Sequence, residues 1–477
     1  MELINRFRDE GFLVSPKVID SFSGDVSSFI DFIKLNQPGT SVIDESVVNS
    51  FYSFIKTGPQ SNVRVVNSFE LINEPRNISN WLGYYSNRYD FLSSLISKRV
   101  EMKPVVSINR ATKLIGRDEF GLIGFVDEIR ETASGNFMLG LEDPTGLISL
   151  LVSKSSPVFS MIGELVKDEV IGVNVRKSGN WCFVESLIFP DLPVREPKKC
   201  DDNSCAVFIS DSHVGSNNFL PNPFQRFFDW INGEWGSEAE RLLSSRVKYL
   251  FFAGDLVDGV GVYPKQEDEL LIKDIHKQYE AVADYLKQVP KSIKIIISPG
   301  NHDALRLALP QPPLNNEFTT ALAKLPNTLF VSNPATVNIH AGNGFGGYDV
   351  MVYHGNSFDH FINNVPRLRK LGYERPEAVM EFLLRKRHLS PTHGATLIAP
   401  SLSADSLLIN NAPDIMVSGH IHHSGVGSYK GTTLLNASCF QGQSDFMKRI
   451  GIVPEPGKIP LMELGSRKVH VMDFMDK

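Results

Sequence analysis

The stretch Tyr249-Leu250-Phe251-Phe252-Ala253-Gly254-Asp255-Leu256-Val257-Asp258 joins an apolar run to a Gly-Asp pair and to a second aspartate three residues later. A short apolar run of this kind is typical of a buried strand. Side chains just past the carboxyl ends of buried strands lie where α/β sheets build their sites. The stretch therefore predicts a strand that delivers Asp255 and Asp258 to a site at one edge of an α/β domain.

Four further apolar runs, at 206–210, 293–298, 350–353 and 415–418, end in the same way. The residues that follow them are, in chain order, Asp211-Ser212-His213, Gly300-Asn301-His302-Asp303, His354-Gly355 and Gly419-His420-Ile421-His422. These blocks offer oxygen and imidazole donors and no thiolate, a set that suits manganese, iron or zinc better than calcium or a structural zinc. One histidine after a strand is more often a core residue than a ligand, but five blocks in order favour a metal site.

The order of these blocks, DxH, GDxxD, GNH(D/E), H and GHxH, closely resembles that of the calcineurin-like metallophosphoesterases. The resemblance covers about half of the chain. It implies two divalent metal ions, with Mn²⁺ as the first choice and Fe²⁺ or Zn²⁺ as alternatives. It implies seven metal ligands: Asp211, His213 and His422 on one ion, Asn301, His354 and His420 on the other, and Asp255 as the bridge between them.

The same resemblance implies catalytic roles for two residues that are not ligands. His302 would protonate the leaving oxygen or hold the phosphate, and Asp258 would accept a hydrogen bond from the His302 ring and fix its orientation. Serine/threonine phosphatases of this superfamily carry an arginine after the second aspartate of GDxxD, where this chain has Gly259. That departure disfavours a phosphoprotein phosphatase, and Asp303 at the end of the third block is typical of the nuclease branch.

The rest of the chain predicts a multidomain α/β and β protein. Residues 1–103 carry helical patterns and a polar break at 58–62, and they predict an N-terminal helical module with a connector. Residues 104–193 show short strands separated by turn signals such as Asp143-Pro144-Thr145-Gly146, and they predict an OB-fold barrel that binds a protein partner or, as the second choice, single strands. After a proline-containing linker, residues 204–477 predict a calcineurin-like phosphoesterase α/β sandwich.

The composition of the chain bears on its partners and on its location in the cell. The 477 residues include 48 Lys+Arg and 54 Asp+Glu, for a net charge of -6, so no chain-wide basic character indicates nucleic acid. No apolar run approaches the roughly 18 residues that a membrane helix needs, and residues 1–10 lack the apolar core of a secretory signal. We therefore expect a cytoplasmic protein without membrane association, whose 4 cysteines are reduced and structural.

The barrel-plus-phosphoesterase arrangement is similar to that of the small subunits of the archaeal family-D DNA polymerases. The runs Ser438-Cys439-Phe440-Gln441-Gly442-Gln443-Ser444-Asp445-Phe446 and Pro454-Glu455-Pro456-Gly457-Lys458-Ile459-Pro460 also resemble that family. The resemblance extends from about residue 104 to the C-terminus. It implies a manganese-dependent 3′→5′ proofreading exonuclease that acts on DNA with a 3′ end and pairs with a separate large catalytic subunit. The sliding clamp is a further candidate partner.

Two alternatives stay open beside the exonuclease. One is an assembly subunit whose intact site is little used, and the other is a free-standing metallophosphoesterase that acts on a nucleotide or small phosphodiester. A basic segment at residues 367–388 also has two interpretations: it guides the DNA backbone toward the metal ions, or it is a solvated helix face that balances nearby glutamates.

Overall fold

The structure, a computed structural model, describes residues 63–70, 77–114, 118–314, 317–342 and 344–475, and scattered positions among the first 48. The predicted break at 58–62 lies outside the described residues. The chain falls into two compact units, 1–64 with 338–347 and 65–337 with 348–477. In the first, the strands Leu13–Val14 (β1) and Val42–Ile43 (β2) pair in parallel, and Phe7 and Phe29 meet edge to face with ring centroids 5.8 Å apart.

A closed five-stranded barrel follows the first long helix of the second unit. Its strands are Glu119–Glu131 (β4), Phe137–Asp143 (β5), Gly146–Val152 (β6), Val170–Ser178 (β7) and Trp181–Ile188 (β8), and their order around the barrel is β4-β5-β6-β8-β7. The turns fall where the sequence predicts them, because Gly135, Gly146 and Gly179 adopt the positive φ that these tight connections need. A 3-10 helix, Phe159–Glu164, lies between the third and fourth strands of the barrel. The barrel is closed as predicted, and its assignment to the OB-fold stays a prediction.

The helix Ile78–Ile96 (α1) packs against this barrel. Asn77 caps its first turn by accepting a hydrogen bond from the backbone N–H of Ser79. Leu92 and Ile96, four residues apart on one helix face, are buried in one cluster with residues of β4, β7 and β8. Gly172 of β7 makes this approach possible, since a Cβ at that position would contact the Ile96 side chain. A second short helix, Ile108–Lys113 (α2), precedes the barrel.

The chain also forms two six-stranded sheets. The strands not yet named are Val63–Ser68 (β3), Cys205–Ile209 (β9), Val247–Ala253 (β10), Lys294–Ser298 (β11), Thr328–Phe330 (β12), Ala335–Ile339 (β13), Tyr348–Val352 (β14), Ile415–Ser418 (β15), Gly425–Tyr429 (β16), Thr432–Asn436 (β17), Lys458–Glu463 (β18) and Val469–Asp473 (β19). One sheet has the order β12-β11-β10-β9-β18-β19 and the other β16-β17-β15-β14-β13-β3. The strands β9 to β12 are parallel to one another, as are β14, β15 and β17. The protein is therefore a mixed α/β protein with several sheets.

Helices and two apolar clusters cover these sheets. The helices are Pro221–Ile231 (α3), Glu238–Ser244 (α4), Ile275–Leu286 (α5), Thr320–Ala323 (α6), Phe358–Asn364 (α7), Pro366–Leu371 (α8), Pro376–Lys386 (α9) and Asp445–Ile450 (α10). One cluster joins α3 and α5 to the first sheet, and the other joins α7 and α9 to the second. The aromatic side chains of Phe224 and Trp230 are buried in the first cluster. Within the described residues, no helix combines the length and the apolar character needed to cross a bilayer.

Several basic side chains of the segment 367–388 are buried or paired with glutamates. Lys386 is 1% exposed and lies 2.7 Å from Glu169. Arg367 lies 2.9 Å from Glu164. Arg387 is buried and donates to the backbone carbonyl of Ile409. The C-terminal half of the segment is thus a packing element, and only its exposed members retain the predicted role of guiding DNA.

Candidate metal centre

Each of the five sequence blocks begins directly after a strand, and parallel pairing brings those strand ends level. Ile209 of β9 is in register with Phe252 of β10, and Ala253 is in register with Ser298 of β11. In the second sheet, Val352 of β14 is in register with Val417 of β15. The two sheets thus present their predicted donors from neighbouring loops. This is the geometry that the carboxyl ends of parallel strands give to α/β sites.

The backbone around these donors is strained. Five of the seven predicted ligands have a positive φ although none is glycine: Asp211 (53°), His213 (48°), Asp255 (52°), His420 (70°) and His422 (59°). Such conformations persist only where the surroundings over-determine them, and they cluster at functional sites. Backbone hydrogen bonds hold them here, since the Asp211 N–H donates to the Gly254 carbonyl and the His213 N–H to the Asp255 carbonyl.

Asp211, His213 and His422 form the first donor group, whose ligand atoms all lie within 4.8 Å of one another. The Nε2 atoms of His213 and His422 are 3.2 Å apart. His213 Nδ1 lies 3.1 Å from Asp258 Oδ1, which accepts this hydrogen bond, so Nε2 is the His213 atom that faces the group. Among the described residues, the buried Asp211 Oδ1 has no hydrogen-bond partner. Lone pairs that converge in this way fit a bound cation.

Asp255, His354 and His420 form a second donor group within the same 4.8 Å limit. His354 Nδ1 donates to the Ala253 carbonyl over 2.7 Å, so Nε2 is the ring atom that faces two oxygens of the group. Those oxygens are Asn301 Oδ1 at 3.1 Å and Asp255 Oδ2 at 3.2 Å. Asp255 Oδ2 also lies 3.7 Å from His213 Nε2, so one carboxylate borders both donor groups, as a bridge requires.

The predicted hydrogen bond from the His302 ring to Asp258 is present, but the Asp258 carboxylate is not its acceptor. The His302 ring does not bond to the Asp258 carboxylate: its Nδ1 lies 2.8 Å from the backbone carbonyl of Asp258. The carboxylate is instead occupied by His213, Gln266 and Gln441, at 3.1, 2.9 and 3.2 Å. The physical reason is that the chain directs the Asp258 peptide carbonyl toward His302 while its side chain points to His213. Asp258 therefore orients the predicted ligand His213, and its carbonyl orients His302.

Two further carboxylates contact this centre, and sequence reasoning gave neither a role. Asp359, on α7, accepts a hydrogen bond of 2.7 Å from His420 Nε2. Asp303 accepts from the backbone N–H groups of Asp255 and Gly300 and from the Tyr279 hydroxyl. Asp303 was visible as the last residue of its block, whereas nothing in the sequence around Asp359 marks it.

Burial and charge act on the imidazoles of the centre in opposite directions. Burial by itself would lower the pKa of His354, but the carboxylates of Asp255 and Asp211 outweigh it and raise the pKa to about 9. Burial lowers the pKa of His302 despite the Asp255 charge. Burial and the Asp255 charge together raise the pKa of Asp303 to about 7. The cluster thus favours positive charge between its carboxylates, where a metal ion fits.

The chain is similar to known subunits of DNA polymerases. The family model for the B subunit of DNA polymerase alpha/epsilon matches residues 206–426, the part of the chain that holds all nine predicted site residues. That part of the chain is thus similar to the polymerase B subunits.

Curated relatives named DNA polymerase II small subunit extend the match. The protein of Methanothermobacter thermautotrophicus is 36% identical over 98% of this chain and 99% of its own length. That of Methanocaldococcus jannaschii is 39% identical over 83% and 66%, and that of Archaeoglobus fulgidus is 38% identical over 83% and 77%. The chain belongs to the family of DNA polymerase II small subunits. A solved archaeal phosphodiesterase matches 56% of this chain and 98% of its own at 12% identity, but its TM-score of 0.28 is too low to establish a common fold.

Proposed function

We propose that this chain is the 3′→5′ proofreading exonuclease subunit of a heterodimeric archaeal replicative DNA polymerase. The observation that carries the proposal is the convergence of possible ligand atoms from Asp211, His213 and His354 at the carboxyl ends of the strands, in a member of this polymerase family. A separate large subunit would supply the polymerase site and form the partner surface. The sliding clamp stays a predicted partner.

The metal assignment is part of the proposal. Asp211, His213 and His422 would hold one divalent ion, Asn301, His354 and His420 the other, and Asp255 both. Two such ions, with Mn²⁺ as the first choice, would supply the Lewis-acid charge that phosphodiester hydrolysis needs. A bound ion would take the place of a proton on each Nε2. His213 and His354 each donate through Nδ1 to a protein oxygen, which fixes Nε2 as the donor atom.

His302 is the proposed acid or phosphate-holding group. Because its Nδ1 donates to the Asp258 carbonyl, it can donate from Nε2 only as the imidazolium. Burial disfavours that form, and the negative charge of an entering phosphodiester favours it. The backbone N–H of His302 also donates to Asp255 Oδ1 over 2.8 Å. A side-chain truncation therefore removes the proton donor and leaves the hydrogen bond to the bridging carboxylate.

The domain assignments complete the proposal. The strand order β4-β5-β6-β8-β7 supports an OB-fold for residues 104–193. The donor groups at the strand ends of the two six-stranded sheets support a calcineurin-like sandwich for residues 204–477. Residues 1–103 would be the helical module, of which α1 is the described helix that packs on the barrel.

The test is manganese-dependent digestion of a 5′-labelled primer with a mispaired 3′ end, by the co-purified complex with its large subunit. His302→Ala is the test variant, and His276→Ala, which alters a histidine on α5 outside the centre, is the matched control. We expect shortening from the 3′ end in the wild type and the control, and its loss in His302→Ala with bound metal retained. A wild-type complex without digestion would favour the assembly subunit. Turnover of bis(p-nitrophenyl) phosphate by a chain that binds no large subunit would favour the free-standing esterase.

A further inference from the structure

A cavity of about 1060 Å³ lies between α1, the barrel strands β4 and β5, and residues 392–393, and it is not part of the metal centre. We call it the aromatic cleft. Trp81, Tyr85 and Tyr89 line it from α1, and Phe125 lines it from β4. The three helix residues are spaced four apart, so they lie on one face of the helix. None is fully buried.

The rings of the aromatic cleft form a continuous surface. Trp81 and Tyr85 stack with centroids 6.2 Å apart and an interplanar angle of 24°. Phe125 meets Tyr85 edge to face at 5.9 Å and lies 5.8 Å from Tyr89. His393 closes one end, since its Nδ1 is 2.9 Å from the Tyr85 hydroxyl and its ring is 5.0 Å from that of Trp81.

Carboxylates surround these rings. The charged residues that line the cleft are five acids and one base, Asp90, Asp127, Glu142, Asp143, Asp168 and Lys167. Asp143 and Asp168 accept hydrogen bonds from backbone N–H groups of Ile108 and His393. Within the part of the chain that the structure describes, no ion pair neutralises Asp90, Asp127 or Glu142. The cleft therefore combines aromatic faces with uncompensated negative charge.

The wall behind the aromatic cleft is rigid. Arg88 is 1% exposed and donates to Asp405 at 2.9 Å, to the Pro391 carbonyl at 2.7 Å and to the Tyr84 hydroxyl at 2.7 Å. These bonds tie α1 to the segment that carries His393. An occupant would meet a preformed surface and would not bear the cost of ordering it.

We propose that the aromatic cleft is a docking site for an arginine-bearing segment of a partner protein. A guanidinium is planar, stacks on aromatic faces and binds carboxylates in a fork, so it matches both features of the cleft. Nucleic acid fits poorly, because five carboxylates repel its phosphates. A single small cation would also leave most of the volume unfilled, since the cavity is at the upper limit of small-ligand sites, which run to about 1,000 Å³. The acids lie on α1, β4, β5 and the loop before β7, spread as an extended segment requires.

The experiment measures binding of a fluorescein-labelled hexa-arginine peptide to the full chain. Trp81→Ala removes the stacking face, and Trp181→Ala, an exposed tryptophan of β8 outside the cleft, is its control. Asp127→Asn with Glu142→Gln removes two charges of the cleft. Glu128→Gln with Glu131→Gln removes two exposed charges of the same strand outside it, so net charge changes equally. We expect each cleft variant to weaken binding about tenfold, and each control to bind as the wild type does.

Three results would overturn this proposal. Equal losses in the cleft and control variants would show attraction to the net negative charge alone. Competition by N-acetylarginine amide at the same concentration as the hexapeptide would show a small-cation pocket and no docking surface. Binding of an eight-residue oligothymidylate that Trp81→Ala weakens would show a nucleic-acid site. If Trp81→Ala lowers the stability of α1, the variant with Asp127→Asn and Glu142→Gln and its charge-matched control still test the proposal.

Discussion

Asp359→Asn tests the proposed second ion through a residue that holds no metal itself. The Asp359 carboxylate accepts a 2.7 Å hydrogen bond from His420 Nε2, which leaves Nδ1 as the His420 atom that can reach the metal. Burial opposes ionisation, but the His420 charge outweighs it and keeps the pKa of Asp359 below its usual value. Replacing the carboxylate with an amide removes that charge at nearly constant volume. His420 then becomes a less basic ligand in a less fixed orientation.

The structure sets the size of the expected effect. Loss of a carboxylate behind a metal-bound histidine costs about 10-fold to 100-fold in metal affinity. The Asp359 side chain is 47% exposed, so water replaces part of its effect and the lower end applies. We expect about a tenfold weaker second Mn²⁺ binding step, or about 1.4 kcal/mol, with the first step unchanged.

The assay is a calorimetric Mn²⁺ titration of the full chain at fixed pH. Asp284→Asn is the matched control, because Asp284 is an exposed aspartate on α5 that pairs with Lys287. An unchanged second step in Asp359→Asn would refute the reasoning, as would an equal loss in the control. Weakening of the first step alone would place His420 on the other ion.

Two further predictions concern stability. Lys386→Met leaves Glu169 buried without its cation, and we expect a loss of about 3 kcal/mol in the free energy of unfolding by urea. The exposed control Lys370→Met should change this free energy little. Equal effects of the two substitutions would contradict the ion pair. Burial lowers the pKa of His388 to about 4, whereas the pKa of a histidine in the unfolded chain is about 6.5. The neutral imidazole therefore stabilises the fold above pH 6.5, and this stability is lost as the pH falls toward 4. The loss in the free energy of unfolding between pH 7.5 and 5 is about 2 kcal/mol. His388→Gln should lessen this difference, as measured by urea unfolding at the two pH values. An unchanged difference would contradict the assignment of this pH dependence to His388.

The sequence predicted the positions of the donors because each block is local. An apolar run followed at once by Asp, Asn or His fixes both the strand and the place of the side chain past its end. The turn signals that predict the barrel strands are also local, since the turn at Asp143-Pro144-Thr145-Gly146 joins β5 to β6 directly. These predictions needed no knowledge of which strands are neighbours.

What the sequence could not show depends on contacts between distant segments. Asp258 has two groups that can accept from a histidine, and only the packed chain shows that the carbonyl takes His302 and the carboxylate takes His213. Asp359 reaches His420 across 61 residues. Lys386 looks like a surface charge until Glu169, 217 residues away, is seen beside it. Side-chain pairing of this kind leaves no periodic signal along the chain.

The most direct test of the central claim is the release of the mispaired 3′ nucleotide by the complex that carries Asp255→Ala in this chain. Asp255 borders both donor groups, so its loss should remove both ions together. The account predicts that the wild-type complex releases the nucleotide in Mn²⁺, and that the Asp255→Ala complex assembles and extends primers but leaves the mispaired end intact. Release at the wild-type rate by the Asp255→Ala complex would contradict the account, because the nuclease site would then lie elsewhere.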